Sequence, residues 1–212
     1  MTLGRVKDTY TTGARRLASR SITGLTRTRV TPNALTTAGV TLCGLASVLV
    51  YFEYRNELLF FWLGAVLFVA GSVLDILDGA LARAGGKTTP FGAFIDSTTD
   101  RISEAFMLGA IALVLTRDGS ELGVALTVAA IAGSFLVSYT RARAEALGLR
   151  GDVGIGSRAE RVVVITAGLV LAPWVPLELP LALLAATAWI TVLQRVLHVR
   201  NQLRTRGDSS NV

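Results

Sequence analysis

Six stretches of the chain are almost wholly apolar, and most charged residues lie between them. They run roughly over residues 33–52, 58–81, 91–116, 122–139, 162–175 and 179–199. A helix needs about 20 apolar residues to cross the hydrocarbon of a bilayer. Four of the stretches meet that length comfortably. The fifth is the shortest and must borrow flanking residues to span. The third is atypical, because its first half carries Asp96, Asp100, Arg101 and Glu104. The pattern predicts an all-α, polytopic membrane protein with six transmembrane helices. Thr31 followed by Pro32 reads as the cap and first position of the first helix. Gly85-Gly86-Lys87 with Pro90 reads as a tight turn between the second and third, and residues 148–156 as a longer loop between the fourth and fifth.

Composition agrees with that layout. The 212 residues are 51% hydrophobic and only 17% charged, with mean hydropathy +0.54, a balance foreign to soluble domains. The net charge of +6 is distributed unevenly. With the N-terminus inside, the inner segments hold Arg5 to Arg29, Arg83, Lys87, Arg141 to Arg161 and Arg195 to Arg206. The outer loops keep only Arg55 and Arg117. This bias predicts six spans in the cell membrane with both termini cytosolic. It also argues against a nucleic-acid partner, because the charge hugs the spans. Residues 1–32 lack the apolar core of a signal peptide. They have a mildly amphipathic pattern, read either as a juxtamembrane helix on anionic lipid or as charge that only sets topology. The expected organisation is a surface segment at 1–32, a six-helix membrane domain at 33–200 and a cytosolic tail at 201–212, with 204–212 disordered. The single cysteine, Cys43, builds neither a disulfide nor a thiolate site and is expected to pack as a small apolar residue.

The chemistry lies in four aspartates. Asp75 and Asp78 are three apart at the end of the second stretch, and Asp96 and Asp100 four apart at the start of the third. Each spacing puts a pair on one helix face, and the short turn makes the two helices antiparallel. Both pairs then lie in the cytosolic third of the bilayer. Ionised carboxylates at membrane depth are costly and repel one another, and Arg83, Lys87 and Arg101 are too few to neutralise four. Hard oxygen donors without His or Cys suit Mg²⁺ or Mn²⁺. Two such ions would balance the acids and attract a diphosphate. Arg83 offers planar donors to phosphate oxygens or, alternatively, only anchors a helix end. The small residues Gly79, Ala82 and Gly92 fit either helix packing or close approach of a ligand. A divalent-cation transporter is the alternative from another class, disfavoured because no polar path continues through the outer halves of the helices.

The pattern D-x-x-D-G-x-x-A-R, then eight residues, then G-x-x-x-D-x-x-x-D is matched without a gap by Asp75, Asp78, Gly79, Ala82, Arg83, Gly92, Asp96 and Asp100. It resembles the CDP-alcohol phosphotransferase family. The resemblance implies a six-helix, homodimeric membrane enzyme that passes a phosphatidyl group from CDP-diacylglycerol to an alcohol and releases CMP. It implies Asp75, Asp78, Asp96 and Asp100 as metal ligands, with Asp100 also the general base. It implies Asn33, Thr36, Gly79, Ala82, Arg83 and Thr89 as contacts to the CDP-lipid. The segment from Ser138 to Arg161 is similar to phosphatidylinositol-phosphate synthases, where Arg141, Arg158, Arg161 and Arg195 would bind the phosphate of inositol 1-phosphate. Arg141 departs from a lysine in that branch. Phosphatidylglycerophosphate synthases and archaeal enzymes acting on archaeol-based CDP lipids remain the alternatives.

Overall fold

The computed structural model describes residues 31–86 and 88–209. Among the described residues the fold is all helical. Six α-helices follow one another: α1 Pro32–Tyr51, α2 Glu57–Ala84, α3 Pro90–Arg117, α4 Glu121–Ala146, α5 Arg158–Leu171 and α6 Glu178–Ser209. A short 3₁₀ turn, Glu53–Arg55, joins α1 to α2. Residues 1–30, where an amphipathic helix is one expectation, lie outside the described residues.

Local sequence sets the helix ends. Thr31 Oγ1 accepts from Ala34 N at 3.3 Å ahead of Pro32, as predicted. Thr89 does the same for Gly92 N at 3.0 Å ahead of Pro90. In both, proline stands where its missing N–H costs nothing. Asn56 caps α2 and Ser120 caps α4. Glu160 Oε2 accepts from Ser157 N at 2.6 Å at the start of α5.

Four boundaries differ from the sequence reading. α4 continues beyond Tyr139 to Ala146, carrying Arg141 and Arg143 with it. α5 starts at Arg158, before its apolar run, and stops at Leu171, because the run ends in Pro-interrupted turns. α6 runs on to Ser209, so the expected disorder over 204–209 is corrected. Its last turns are tied by Gln202 and Arg206 to the α4–α5 loop.

Four helices, α1, α2, α4 and α6, are long and apolar enough to cross a membrane. α3 has the length, 28 residues, but carries its charges in one half. α5 has only 14 residues, about 21 Å of helix. Polarity in the bundle is inverted relative to a soluble protein. Val66, Leu122 and Val163 are each about two-thirds exposed, while Asp75, Asp78, Glu104 and Arg161 are buried. An exterior this apolar suits lipid, and the few buried charges need partners inside the bundle.

The helices alternate in direction. One end of the bundle, the motif end, gathers Thr31, Ala84, Pro90, Ala146 and Arg158. At the opposite end Arg117 pairs with Glu53 at 2.8 Å and lies over the rings of Tyr51 and Tyr54. Burial pushes the Glu53 carboxyl above its ordinary range, and Arg117 acts in the other direction. Ser120 donates to Glu178 at 2.5 Å there, joining α4 to α6.

α1 packs along both α2 and α3, whereas α2 and α3 hardly touch each other. The α1–α2 seam is glycine lined. A Cβ on Gly71 would sit 2.7 Å from both Gly39 O and Cys43 Sγ, and one on Gly39 would sit 2.9 Å from Gly71 O. Such close backbone approach is the usual cement of membrane helices. Cys43 is buried against this seam, as expected of a small apolar side chain. Phe68, Met107, Leu108, Leu169 and Leu184 fill the centre of the bundle. Gly71→Ala is expected to cost roughly 1–3 kcal/mol through overpacking against backbone. Gly109→Ala, where a Cβ meets nothing within 4 Å, should be neutral or slightly stabilising. Thermal unfolding of the two variants in detergent checks the contrast.

Candidate active site and metal centre

The motif end of the bundle brings the predicted acids together. Asp75, Asp78 and Asp96 each present one carboxylate oxygen, and the three oxygens lie within 4.8 Å of one another. Asp75 and Asp78 are 6% and 3% exposed, on the inner face of α2. Asp96 reaches across from α3 and is half-buried. The cluster joins α2 to α3, which otherwise scarcely touch.

Asp100 stands one turn further along α3 and is not part of that triad. Its Oδ1 lies 2.7 Å from Arg158 Nη2. The contact is an ion pair by distance, although the same oxygen meets no hydrogen-bond geometry. The other terminal nitrogen of Arg158 donates to Asp75 Oδ2. One guanidinium from α5 therefore clamps a carboxylate of α2 to a carboxylate of α3. The sequence reading counted only Arg83, Lys87 and Arg101 as nearby cations. Arg158 is the cation it missed at this position, having been assigned to the acceptor phosphate.

Thr36, in the first turns of α1, donates to Asp78 Oδ2. Its hydroxyl also lies 3.1 Å from Pro32 O. Asn33 is exposed on the preceding turn. Arg83 folds back so that its Nη1 would be 3.3 Å from a Cβ on Gly79. Glycine there gives the guanidinium its room. Ala82 is partly buried beside it, and Thr89 serves as the cap of α3. The six residues expected to contact the CDP-lipid thus lie on α1, α2 and the start of α3, at the same end as the acids.

The four arginines expected at the acceptor phosphate have four different settings. Arg141 is exposed and pairs with Glu145 at 2.9 Å, one turn along α4. Arg158 lies in the carboxylate cluster. Arg195 is buried and donates from Nε to Val153 O at 2.8 Å and from Nη1 to Val137 O. Arg161 is 4% exposed, with Nε and Nη2 on the two oxygens of Glu104 at 2.7 and 2.8 Å and Nη1 on Gly156 O at 3.0 Å. Every nitrogen of Arg161 has a protein partner, which gives the side chain a structural role in the bundle beside the acceptor role that the resemblance implies. The fork-shaped pair satisfies a charge that burial would otherwise penalise. Glu104 noted in the sequence as an oddity of α3 is the reason.

The profile of the CDP-alcohol phosphatidyltransferase family matches residues 29–198. The chain belongs to this family. Among its relatives is the archaetidylinositol phosphate synthase of Pyrococcus horikoshii, 38% identical over 175 residues that cover 82% of this chain and 86% of the relative. Two crystal structures of the phosphatidylinositol phosphate synthase of Mycobacterium tuberculosis are also similar. The one with CDP-DAG bound superposes with a TM-score of 0.73 at 33% identity, covering 87% of this chain and 94% of that one. The one in complex with manganese and citrate gives the same TM-score and identity over 86% and 88%.

In this phosphatidyltransferase the donor set fits a hard divalent ion. Three carboxylate oxygens converge and, among the described residues, neither His nor Cys joins the group. Mg²⁺ and Mn²⁺ take such ligands. Arg158 occupies two of the four aspartates and would compete with an ion there.

The Arg161 assignment separates from an acceptor role by experiment. Arg161→Met leaves Glu104 buried and uncompensated, which is expected to cost about 3–5 kcal/mol. The double variant Glu104→Leu/Arg161→Met should recover much of that. Unfolding in detergent provides the measurement. A fully stable single variant with only a raised acceptor KM would leave Arg161 with the acceptor role alone.

Proposed function

We propose that the protein transfers the phosphatidyl group of CDP-diacylglycerol to inositol 1-phosphate, giving phosphatidylinositol phosphate and CMP. The observation that carries this reading is the convergence of Asp75, Asp78 and Asp96 on the family's own motif positions. Support for the acceptor comes from the relatives, whose names share an inositol phosphate product while differing in the lipid. The same difference favours a second reading for the donor alone, in which the lipid is archaeol-based.

In the proposed reaction Asp75, Asp78 and Asp96 hold divalent metal, with Asp100 completing the set for a second ion. When bound, the metal neutralises the diphosphate and makes the CMP phosphate a better leaving group. Asn33, Thr36, Gly79, Ala82, Arg83 and Thr89 hold the CDP portion. Arg141, Arg158, Arg161 and Arg195 receive the acceptor phosphate. A guanidinium carries five N–H donors, so the two carbonyls on Arg195 do not exhaust it. Asp100 takes the proton of the acceptor hydroxyl. The acceptor oxygen bonds to the lipid-bearing phosphorus, and the phosphorus–oxygen bond to CMP breaks with its electron pair on CMP. Arg158 must leave Asp100 before that carboxylate can act, and an incoming phosphate monoester is the anion suited to draw it away.

The same proposal includes six spans, with α3 and α5 crossing the bilayer beside the four more apolar helices. Their charged faces are covered by protein: Glu104 pairs with Arg161, and Asp100 with Arg158. It places the motif end and both termini in the cytosol, on the basic-residue bias, in a homodimer in the cell membrane. It keeps residues 1–32 as a surface segment, 33–200 as the membrane domain and 201–212 as a cytosolic tail.

CMP release by purified protein with Mg²⁺ tests the reaction. Inositol 1-phosphate should exceed inositol by at least about tenfold in kcat/KM, because inositol leaves the guanidinium groups without their anion, and it should also be preferred to glycerol 3-phosphate. Preference for glycerol 3-phosphate would make it a phosphatidylglycerophosphate synthase, and metal flux across liposomes without CMP release would make it a transporter. Asp100→Asn should keep CDP-lipid binding and lose roughly 10²–10⁴-fold in turnover. Near-full turnover would remove Asp100 as the base.

A further inference from the structure

The α4–α5 connection, residues 147–157, has the composition of a mobile loop, with glycine at 148, 151, 154 and 156. Gly148 and Gly154 have φ of 68° and 121°, values open to glycine and costly for other residues. Yet this loop is held at intervals by side chains of α6. Thr191 Oγ1 accepts from Gly156 N at 2.8 Å. Arg195 Nε donates to Val153 O at 2.8 Å. Gln202 Oε1 accepts from Arg150 N at 3.0 Å while its Nε2 donates to Arg150 O at 2.8 Å. Arg206 Nη2 donates to Gly148 O at 2.8 Å. The steps from 191 to 195 and from 202 to 206 are one helical turn each, and the step between them is two, so all four share a face.

These bonds go to the main chain of the loop. Gln202 pairs with both polar backbone groups of Arg150, as a neighbouring strand would. The last tie falls on Gly156, two residues before Arg158, and Gly156 O is held in turn by Arg161. α6 therefore sets the path of the loop up to the guanidinium that clamps Asp75 to Asp100. Residues of α6 beyond the apolar stretch have no reason in membrane crossing to be helical, and this contact supplies one.

We propose that the motif-end extension of α6 is a splint for the α4–α5 loop, and that Gln202 is a positioning residue acting through the loop backbone on Arg158. This rests on the reading of Arg158 as part of the acceptor site. Gln202 touches neither the carboxylates nor any residue assigned to the CDP-lipid. Its loss should leave donor binding intact and loosen the acceptor side alone.

Two variants of the full chain test the splint. Gln202→Leu removes both bonds to Arg150 at similar size, and Thr191→Val removes the acceptor for Gly156 N with shape kept. Hydrogen exchange in detergent is the first readout. Amides of residues 147–157 should exchange about tenfold faster or more in each variant, with α2 and α3 unchanged, as expected of local opening. Unchanged loop protection overturns the splint. Equal loss of protection throughout the bundle also overturns it, by showing a general structural role. Kinetics are the second readout, using whichever acceptor wild type turns over best. Gln202→Leu should raise that acceptor's KM about five- to tenfold, by analogy with modest losses of pre-organisation, with the CDP-lipid KM within about twofold. Equal effects on both KM values, or none, would overturn the link to the acceptor side. Failure of the reaction proposed above would show instead in wild type, as preference for another acceptor, while the exchange experiment still decides the splint.

Discussion

One guanidinium holds the chemistry of this bundle in place. Arg158 of α5 bridges Asp75 of α2 and Asp100 of α3. Carboxylates in an apolar helix bundle are tolerable only with a compensating charge and satisfied hydrogen bonds. The bridge supplies charge to two of the four acids and a hydrogen bond to Asp75, and Thr36 supplies a donor to a third acid, Asp78. These contacts join α1, α2, α3 and α5 at a single level. A divalent ion bound there would take over the same compensating role, so cation exchange at this point couples the carboxylates to the arginine side of the site.

The packing explains why there is room for such a site. α1 lies against both motif helices, and the close approach at Gly39 and Gly71 draws α1 and α2 together along their length. α2 and α3 are consequently neighbours in sequence that scarcely meet in space. They are joined where Asp75, Asp78 and Asp96 converge. Small residues thus act at a distance from the chemistry, by fixing the helix that packs against the other two.

The arginines at the motif end illustrate how one charge pattern can serve several ends. Read as topology signals, they are interchangeable. In the fold, Arg161 neutralises a buried glutamate, Arg195 and Arg206 hold loop carbonyls, Arg141 pairs one turn along its own helix, and Arg158 enters the carboxylate cluster. The settings of Arg158, Arg161 and Arg195 draw on the multiple planar donors of the side chain, which lysine lacks.

The repeated apolar runs determined the helical class and most helix ends, because hydropathy and capping are local properties. Thr31-Pro32 and Thr89-Pro90 announce their helices within three residues. The aspartate motif likewise determined the acid cluster, since i, i+3 and i, i+4 spacing across one short turn leaves little geometric freedom. What only the tertiary structure decided are the partners that arrive from far along the chain. Arg158 meets Asp75 across 83 positions, Arg161 meets Glu104 across 57, and Gln202 meets Arg150 across 52. No local pattern distinguishes an arginine bound for a carboxylate from one bound for a headgroup. That choice is made by which helices the glycine seams allow to approach, and it shows only when the bundle is assembled.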